Sequence, residues 1–339
     1  MTFMSLENRI KKEILIRADA DSDTGLGHVI RCLGLAQMLS DSYRITFVCN
    51  KIPDEIANSV HDKGFELIRI ESEEEFREMV RPEQIVILDG YGFTSEYQLK
   101  IKQKGCKLIY IDDLYDGEYY ADLIINHSPG VEQNKYTAQP YTRFALGLEF
   151  SLMRPVFLEE ARKKRVHDSI DHVFICCGGS DPRNFTEKIL KGVLGFSEFK
   201  KITVVTGPGY GHRDKINRLA DEDNRVKHYS SVDEYKMRDL MLGAGLAIVP
   251  TSGMVLEAIC CSCNILCFWY EKNQAMPHNF FTSRDYVKSF GDNSVSFKKN
   301  AMKEKIVEIL NKGNAGNYRK LRKKIACVKE NINNAIASI

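Results

Sequence analysis

Short apolar runs alternate along the chain with longer segments whose apolar positions recur every three or four residues. In the first half, the apolar runs predict strands at 13–18, 44–49, 65–70, 84–89, 107–111 and 122–126. The periodic segments between them predict helices at 28–40, 54–63, 72–80 and 94–104. This alternation is typical of βαβ units, in which helices cover both faces of a parallel sheet.

The same pattern restarts after a charged connector and predicts a second unit. Its strands are predicted at 171–177, 201–206, 225–229, 245–249 and 264–268. Its helices are predicted at 183–195, 212–221, 232–242, 253–261 and 302–312, with a last polar helix at about 315–336. We therefore predict two Rossmann-like domains, 1–156 and 157–314, a C-terminal helix at 315–339, and a ligand-binding cleft between the domains.

Composition and charge exclude several classes of function. The chain has 339 residues, 28% of them charged, and a net charge of +2. It therefore lacks the strong positive charge that is typical of nucleic-acid-binding domains. No apolar run approaches the roughly 18 residues of a membrane span, and the polar N-terminus does not resemble a signal peptide. The ten cysteines lie mostly in apolar runs, which indicates buried thiols rather than disulfides or zinc ligands. We expect a cytoplasmic monomer that binds neither nucleic acid nor membranes.

The loop after the first strand is rich in glycine and leads directly into an apolar helix. A dinucleotide-binding fingerprint would need a small residue where Ile30 stands. A calcium loop of the EF-hand type would need glycine at Thr24 and glutamate at Ile30. The third interpretation is a loop in which Gly25 and Gly27 let the backbone approach a ligand closely, with His28 at the helix N-terminus.

His28 is the candidate general base. A helix N-terminus favours the neutral form of an imidazole, and a neutral histidine can accept a proton. The alternative is a histidine that only fills the turn, but the flanking glycines and the position beyond a strand end favour catalysis. From the same loop we predict that Arg17, Asp19 and Gly27 bind the substrate.

The first of two similar loops in the second half is CGGSDP, at 177–182. Free backbone amides at Gly178, Gly179 and Ser180, followed by a helix, suit a diphosphate. The sequence lacks the G-K-[ST] of a Walker motif, and a simple strand–helix turn is the alternative.

The second similar loop, PTSGMVLEA, runs from a predicted strand into a helix at 250–258. Its predicted nucleotide ligands are Thr251, Ser252, Gly253 and Met254. Glu257, about one turn into the helix, could accept hydrogen bonds from both hydroxyls of a ribose, or could be a solvated glutamate.

Other polar residues also follow strands. Tyr91 lies in the loop after the fourth strand. Asp112 and Asp113 follow the fifth strand, but adjacent side chains there point to opposite faces, so we predict no metal site. Asn273 and Gln274 offer amides that suit sugar hydroxyls or acetamido groups.

Eight segments of the chain together resemble a known family. In order they are RADADSDTGLGHVIRCLGLA, LDGYG, IDDL, ADLIIN, LGLEFSLMRPVF, CCGGSDPRN, TSGMVLEA and YEKNQ. They resemble the UDP-2,4-diacetamido-2,4,6-trideoxy-β-L-altropyranose hydrolases of bacterial pseudaminic acid biosynthesis, over about residues 13–290. CCGGSDP and TSGMVLEA are also similar to segments of GT-B glycosyltransferases.

The resemblance implies an α/β fold of the GT-B type and a hydrolase that needs neither metal nor cofactor. Water attacks the anomeric carbon of the UDP-sugar and UDP leaves, with inversion expected. The roles it implies are the base for His28, sugar contacts for Tyr91 and Asn273, diphosphate contacts for Gly179, Ser180, Ser252 and Gly253, and ribose contacts for Glu257. Two alternatives stay open, namely an inverting glycosyltransferase that uses UDP-N-acetylglucosamine and a non-catalytic protein that binds nucleotide sugars.

Overall fold

The chain forms two units, each built around a parallel sheet. The computed structural model describes residues 11–20, 25–167, 169–314 and 317–339. The first unit contains the described residues up to His127, together with Val131–Leu146 and Glu330–Ile339. The second unit contains Ser128–Gly130 and the described part of Gly147–Lys329. The domain limits drawn from the sequence at 156 and 314 stay predictions.

The apolar runs of the first half form the sheet of the first unit. Its strands, with two short ones beside the sheet, are β1 (Lys12–Ala18), β2 (Tyr43–Cys49), β3 (Glu66–Arg69), β4 (Ile85–Asp89), β5 (Lys107–Ile111), β6 (Glu118–Tyr119), β7 (Leu123–Asn126), β8 (Thr137–Ala138) and β9 (Arg143–Leu146). The sheet order is β3-β2-β1-β4-β5-β7-β9, and all its neighbouring pairs are parallel. Strands β6 and β8 form a separate parallel pair.

Helices connect the strands of the first unit. They are α1 (Gly27–Leu39), α2 (Asp54–Asp62), α3 (Glu73–Met79) and α4 (Ser95–Lys102). Two of them begin at side-chain caps, because Ser72 accepts a hydrogen bond from the backbone of α3 and Thr94 accepts one from the backbone of α4. The central strands are buried on both faces, and Ile14, Ile16 and Ile87 are wholly inaccessible to solvent.

The second unit repeats this plan. Its strands are β10 (His172–Cys176), β11 (Lys201–Thr206), β12 (Val226–Ser230), β13 (Leu246–Pro250), β14 (Asn264–Trp269) and β15 (Lys288–Asp292), in the order β12-β11-β10-β13-β14-β15. Its helices are α5 (Pro155–Arg162), α6 (Phe185–Val193), α7 (Arg213–Glu222), α8 (Glu234–Leu242), α9 (Gly253–Cys260), α10 (Ala275–Ser283), α11 (Lys299–Lys312) and α12 (Arg319–Ile325). The last helix, α13 (Val328–Ala337), runs from this unit into the first.

The strand order reverses at one place in each sheet, between β1 and β4 and between β10 and β13. Ligands of such sheets bind beyond the carboxyl ends of the strands at this point. The four loops that follow these strands are the glycine-rich first loop, the loop of Tyr91, and the loops at 177–182 and 250–258. The predicted class, α/β with two Rossmann-like units, is confirmed.

All eleven predicted strands are present, but several elements were missed. Helix α5 lies where the sequence indicated only a connector, and α10 and the edge strands β9 and β15 were not predicted. The edge strand β15 is only partly buried, so it lacks a continuous apolar run. The predicted last helix is two helices, α12 and α13. None of the helices described is both long and apolar enough to cross a bilayer.

Candidate functional site

A buried carboxylate, Asp89, organises the carboxyl edge of the first sheet. It is the last residue of β4 and has no solvent-accessible surface. One of its oxygens, Oδ1, lies 2.7 Å from Nδ1 of His28, and the other, Oδ2, accepts a hydrogen bond of 2.7 Å from Nε of Arg31. The thiol of Cys32 also donates to Oδ2, at 3.2 Å. Three side chains from the first turns of α1 therefore meet on one carboxylate.

The charge state of Asp89 fixes the tautomer of His28. Burial by itself raises the pKa of Asp89, but the positive charge of Arg31 and the hydrogen bonds from Arg31 and His28 outweigh it and lower the pKa below its usual range. An ionised carboxylate can only accept, so Nδ1 of His28 carries the hydrogen that points at Asp89, and Nη2 of Arg31, 3.1 Å from Nδ1, donates to Asp89 Oδ1 rather than to the ring. In the neutral form of the ring, Nε2 of His28 then has a lone pair that can accept a proton.

Tyr91 and Asp113 extend this cluster. The hydroxyl of Tyr91 donates to Asp113 Oδ2 at 3.3 Å, and Arg31 Nη1 donates to the same oxygen at 3.2 Å. The ring of Tyr91 meets the ring of His28 edge-on, with centroids 4.9 Å apart. Burial and the charge of Asp113 raise the pKa of Tyr91, so the half-exposed hydroxyl stays a donor at neutral pH. The structure thus brings together two of the predicted site residues, His28 and Tyr91.

Arg17 and Asp19 form a second network at the end of β1. The guanidinium of Arg17, which is 1% exposed, donates to both oxygens of Asp19 at 2.7 Å and also binds Glu73. Asp19 further accepts the backbone N–H groups of Asn50 and Lys51. These partners hold the start of the first loop. The substrate-binding roles of Arg17 and Asp19 stay predictions, as does that of Gly27, the first residue of α1.

The calcium-loop pattern weighed for the first loop falls on Asp21, Asp23 and Thr24, which lie outside the described residues. Elsewhere in the described ranges, no three His, Cys, Asp or Glu side chains are grouped so that they could hold a metal ion.

In the second unit, the loop of Gly178, Gly179 and Ser180 packs closely on the loop after β11. Gly178 has a φ of +97°, a backbone conformation that favours glycine. The N–H of Gly209 donates to the carbonyl oxygen of Gly179 at 3.2 Å. A Cβ atom at Gly207 would lie 2.3 Å from that same oxygen. The shape of the loop therefore depends on a glycine that belongs to a different connection.

We expect Gly207→Ala to lower the free energy of unfolding by about 1–3 kcal/mol, because overpacking against backbone forces the two loops apart. Gly211→Ala is the matched control, since a Cβ there meets nothing within 4 Å. Urea denaturation of both variants measures the difference. Equal stability of the two variants would show that the contact between the loops is not constrained.

The loop at 250–258 divides into buried and exposed parts. Thr251 is buried, and both its N–H and its hydroxyl bind the carbonyl oxygen of Phe268 on β14. Ser252 and Gly253 are exposed, and the hydroxyl of Ser252 accepts the N–H of Met254 at the start of α9. The nucleotide-binding roles of these four residues stay predictions, and the geometry favours Ser252 and Gly253, which a ligand can reach.

Glu257 has a partner that the sequence did not reveal. Its two carboxylate oxygens accept hydrogen bonds from Nε and Nη2 of Arg154, at 2.9 and 2.7 Å. Each oxygen keeps a second lone pair, so contact with a ribose is still chemically possible and stays a prediction. Arg154 immediately precedes Pro155, the first residue of α5, within the segment that was interpreted as a connector.

The remaining predicted residues follow β14. Gln274 accepts the N–H groups of Tyr270 and Glu271 through its side-chain oxygen, so this oxygen stabilises its own turn. Asn273 is exposed. Sugar-binding roles for both amides stay predictions. Sequence reasoning also missed Arg31, although its position three residues after His28 places both on one face of α1.

The comparisons with known proteins agree with this fold. No family model matches the chain. It is 26% identical over 285 residues to the UDP-2,4-diacetamido-2,4,6-trideoxy-β-L-altropyranose hydrolase of Campylobacter jejuni, covering 81% of this chain and 97% of that protein. The structure is similar to MurG of Acinetobacter baumannii, at 11% identity with a TM-score of 0.62, over 97% of this chain and 100% of that one. It is also similar to HepE of Anabaena in complex with UDP, at 12% identity, with the same TM-score and coverage. These likenesses confirm the predicted GT-B fold.

Proposed function

We propose that this protein is a UDP-sugar hydrolase that releases UDP from a UDP-2,4-diacetamido-2,4,6-trideoxy sugar, as a step of pseudaminic acid biosynthesis. The observation that carries the proposal is the pair formed by His28 and Asp89. An imidazole held by a buried carboxylate through one nitrogen, with the other nitrogen free of hydrogen bonds to the described residues, is the arrangement that a general base needs.

In the proposed reaction, Nε2 of His28 accepts a proton from water while the water oxygen attacks the anomeric carbon. The bond between that carbon and the phosphate oxygen breaks, and its electron pair leaves with UDP. Asp89 stabilises the imidazolium that forms, and its hydrogen bond keeps the ring in one orientation. Arg31 contributes indirectly, because its charge keeps Asp89 ionised.

We assign the nucleotide to the second unit. The backbone amides of Gly179, Ser180 and Gly253 lie in loops that lead into α6 and α9, and donors of this kind stabilise the negative charge that grows on a departing diphosphate. Arg154 is suited to the same task. Only its Nε and Nη2 donate to Glu257 among the described residues, so Nη1 can donate to a phosphate oxygen.

The similarity to the Campylobacter hydrolase supports this substrate class, because it spans 97% of that protein. The similarity to HepE supports UDP as the nucleotide, because that structure contains UDP. The GT-B fold is also used by enzymes that transfer sugars, so the functional test must separate transfer from hydrolysis.

The test uses the purified protein and UDP-2,4-diacetamido-2,4,6-trideoxy-β-L-altropyranose in ¹⁸O-labelled water, without any acceptor. NMR follows the release of UDP and the first sugar anomer formed, and mass spectrometry measures the label in UDP. We expect release of unlabelled UDP, since the carbon–oxygen bond breaks, together with an inverted sugar. Release that requires an added acceptor would identify a transferase. Binding of the UDP-sugar without any release would identify a binding protein.

A further inference from the structure

His127 directly follows β7 at the carboxyl edge of the first sheet. In the parallel register, Ile111 of β5 lies beside Asp89 of β4 on one side and beside Ile125 of β7 on the other. Asp113 comes two residues after Ile111, and His127 comes two residues after Ile125. Because side chains two residues apart share a face of a sheet, His127 lies on the same face as Asp89, level with Asp113 and one step beyond Asp89 along the strands.

The ring nitrogen Nδ1 of His127 is shielded from solvent and has no hydrogen-bond partner among the described residues. The preceding residue, Asn126, is by contrast bonded through its side-chain amide to Tyr136 and Asp112. Buried polar atoms in folded proteins are almost always paired. An unpaired buried nitrogen beside a candidate active site therefore indicates a partner that arrives with a ligand.

The charges around His127 restrict the chemistry of that partner. Burial, together with the positive charge of Arg31, lowers the pKa of His127 to about 4, and the negative charge of Asp89 opposes this only in part. The ring is therefore neutral at pH 7. A neutral imidazole adds no positive charge for a diphosphate, but it forms good hydrogen bonds with the uncharged hydroxyl and acetamido groups of a sugar.

We infer that His127 positions the sugar of the substrate through a hydrogen bond at its Nδ1 atom. The inference rests on the proposed function and adds a residue that determines specificity on the sugar side. Because this bond does not depend on the charge that develops in the transition state, it stabilises bound substrate and transition state alike. Its loss should raise KM and leave kcat nearly unchanged.

Three variants at this position separate the contact from a structural role. In His127→Asn the side-chain amide occupies roughly the place of Nδ1, in His127→Gln it occupies roughly the place of Nε2, and His127→Leu has no polar atom. We expect KM for the UDP-sugar to rise about 10–100-fold in His127→Leu, the range for a lost hydrogen bond that leaves a polar group unpaired. In the Asn variant KM should return close to the wild-type value, and in the Gln variant it should stay nearly as high as in His127→Leu.

The affinity for UDP alone is the internal control, since we expect it to stay within about twofold in all three variants. Unchanged KM in His127→Leu would overturn the inference, as would equal rescue by Asn and Gln. A fall in kcat of the same size as the fall in kcat/KM would also overturn it, because the residue would then act only in the transition state.

A second readout does not depend on turnover. In protein labelled with ¹⁵N at histidine and carrying His28→Asn, we expect the ring signals of His127 to shift when the UDP-sugar is added but not when UDP is added. Absence of a shift with the UDP-sugar refutes the role of His127. Absence of UDP release by the wild-type protein refutes the proposed hydrolase, whatever the NMR titration reports about His127.

Discussion

We expect His28→Asn to lower the turnover number of the proposed UDP-sugar hydrolysis by about 10²–10⁴-fold, the usual contribution of a general base. Asparagine places an amide N–H near the position of Nδ1, so Asp89 keeps a donor, while the lone pair at Nε2 is removed. The fold and the ion pair between Arg31 and Asp89 should therefore survive. Turnover measured by UDP release, with urea denaturation alongside, checks both parts of this expectation.

The matched control for this substitution is His61→Asn, a change of the same chemical kind at an exposed position on α2. We expect its turnover to equal that of the wild-type protein. The dissociation constant for UDP should stay within about twofold in both variants, since the nucleotide is assigned to the second unit. A His28→Asn variant that turns over at the wild-type rate would remove this imidazole from the mechanism.

Asp89→Asn should have the largest effect on stability, a loss of about 3–5 kcal/mol from the free energy of unfolding at pH 7. The reason is that the substitution leaves the mostly buried guanidinium of Arg31 without its closest counter-charge. Asp113→Asn is the matched control. It removes a longer contact of 3.2 Å to the same Arg31 at a more accessible site and should cost less than about 1 kcal/mol.

The effect of Asp89→Asn depends on pH in a defined direction. The pKa of Asp89 in the folded protein is lower than its value of about 4 in the unfolded chain. Its stabilising contribution is therefore complete above about pH 4 and is lost as the pH falls from there toward the lower folded value. Urea denaturation from pH 7 to pH 2 should show the wild-type and variant stabilities converging below pH 4. A constant difference over this range would contradict the assignment.

The sequence was most informative where a signal is local. Continuous apolar runs are sufficient to locate strands that are buried on both faces, and glycine beside a strand end is sufficient to place His28 at the start of α1. The edge strands β9 and β15 were missed because a partly buried strand carries no such run. Helix α10 was missed for a related reason, since Pro277 and the polar residues after it leave no regular spacing of apolar positions.

The ion pairs of the site could not be predicted in the same way. Asp89 was not among the predicted site residues, and its partner His28 lies 61 positions away. Arg154 and Glu257 are 103 positions apart. Such pairs depend on which strands and helices become neighbours, and a single sequence contains no local pattern for that. Thr251 is a further example, because nothing in the sequence indicated that its hydroxyl binds a backbone carbonyl oxygen of β14.

The three side chains that contact Asp89 all come from the first turns of α1. A displacement of α1 by a single residue along its axis, about 1.5 Å, would break all three contacts at once. The orientation of the imidazole therefore depends on how α1 docks on the buried sheet. We therefore expect substitutions that shift α1 on the sheet to disturb the contacts of the imidazole, the guanidinium and the thiol together.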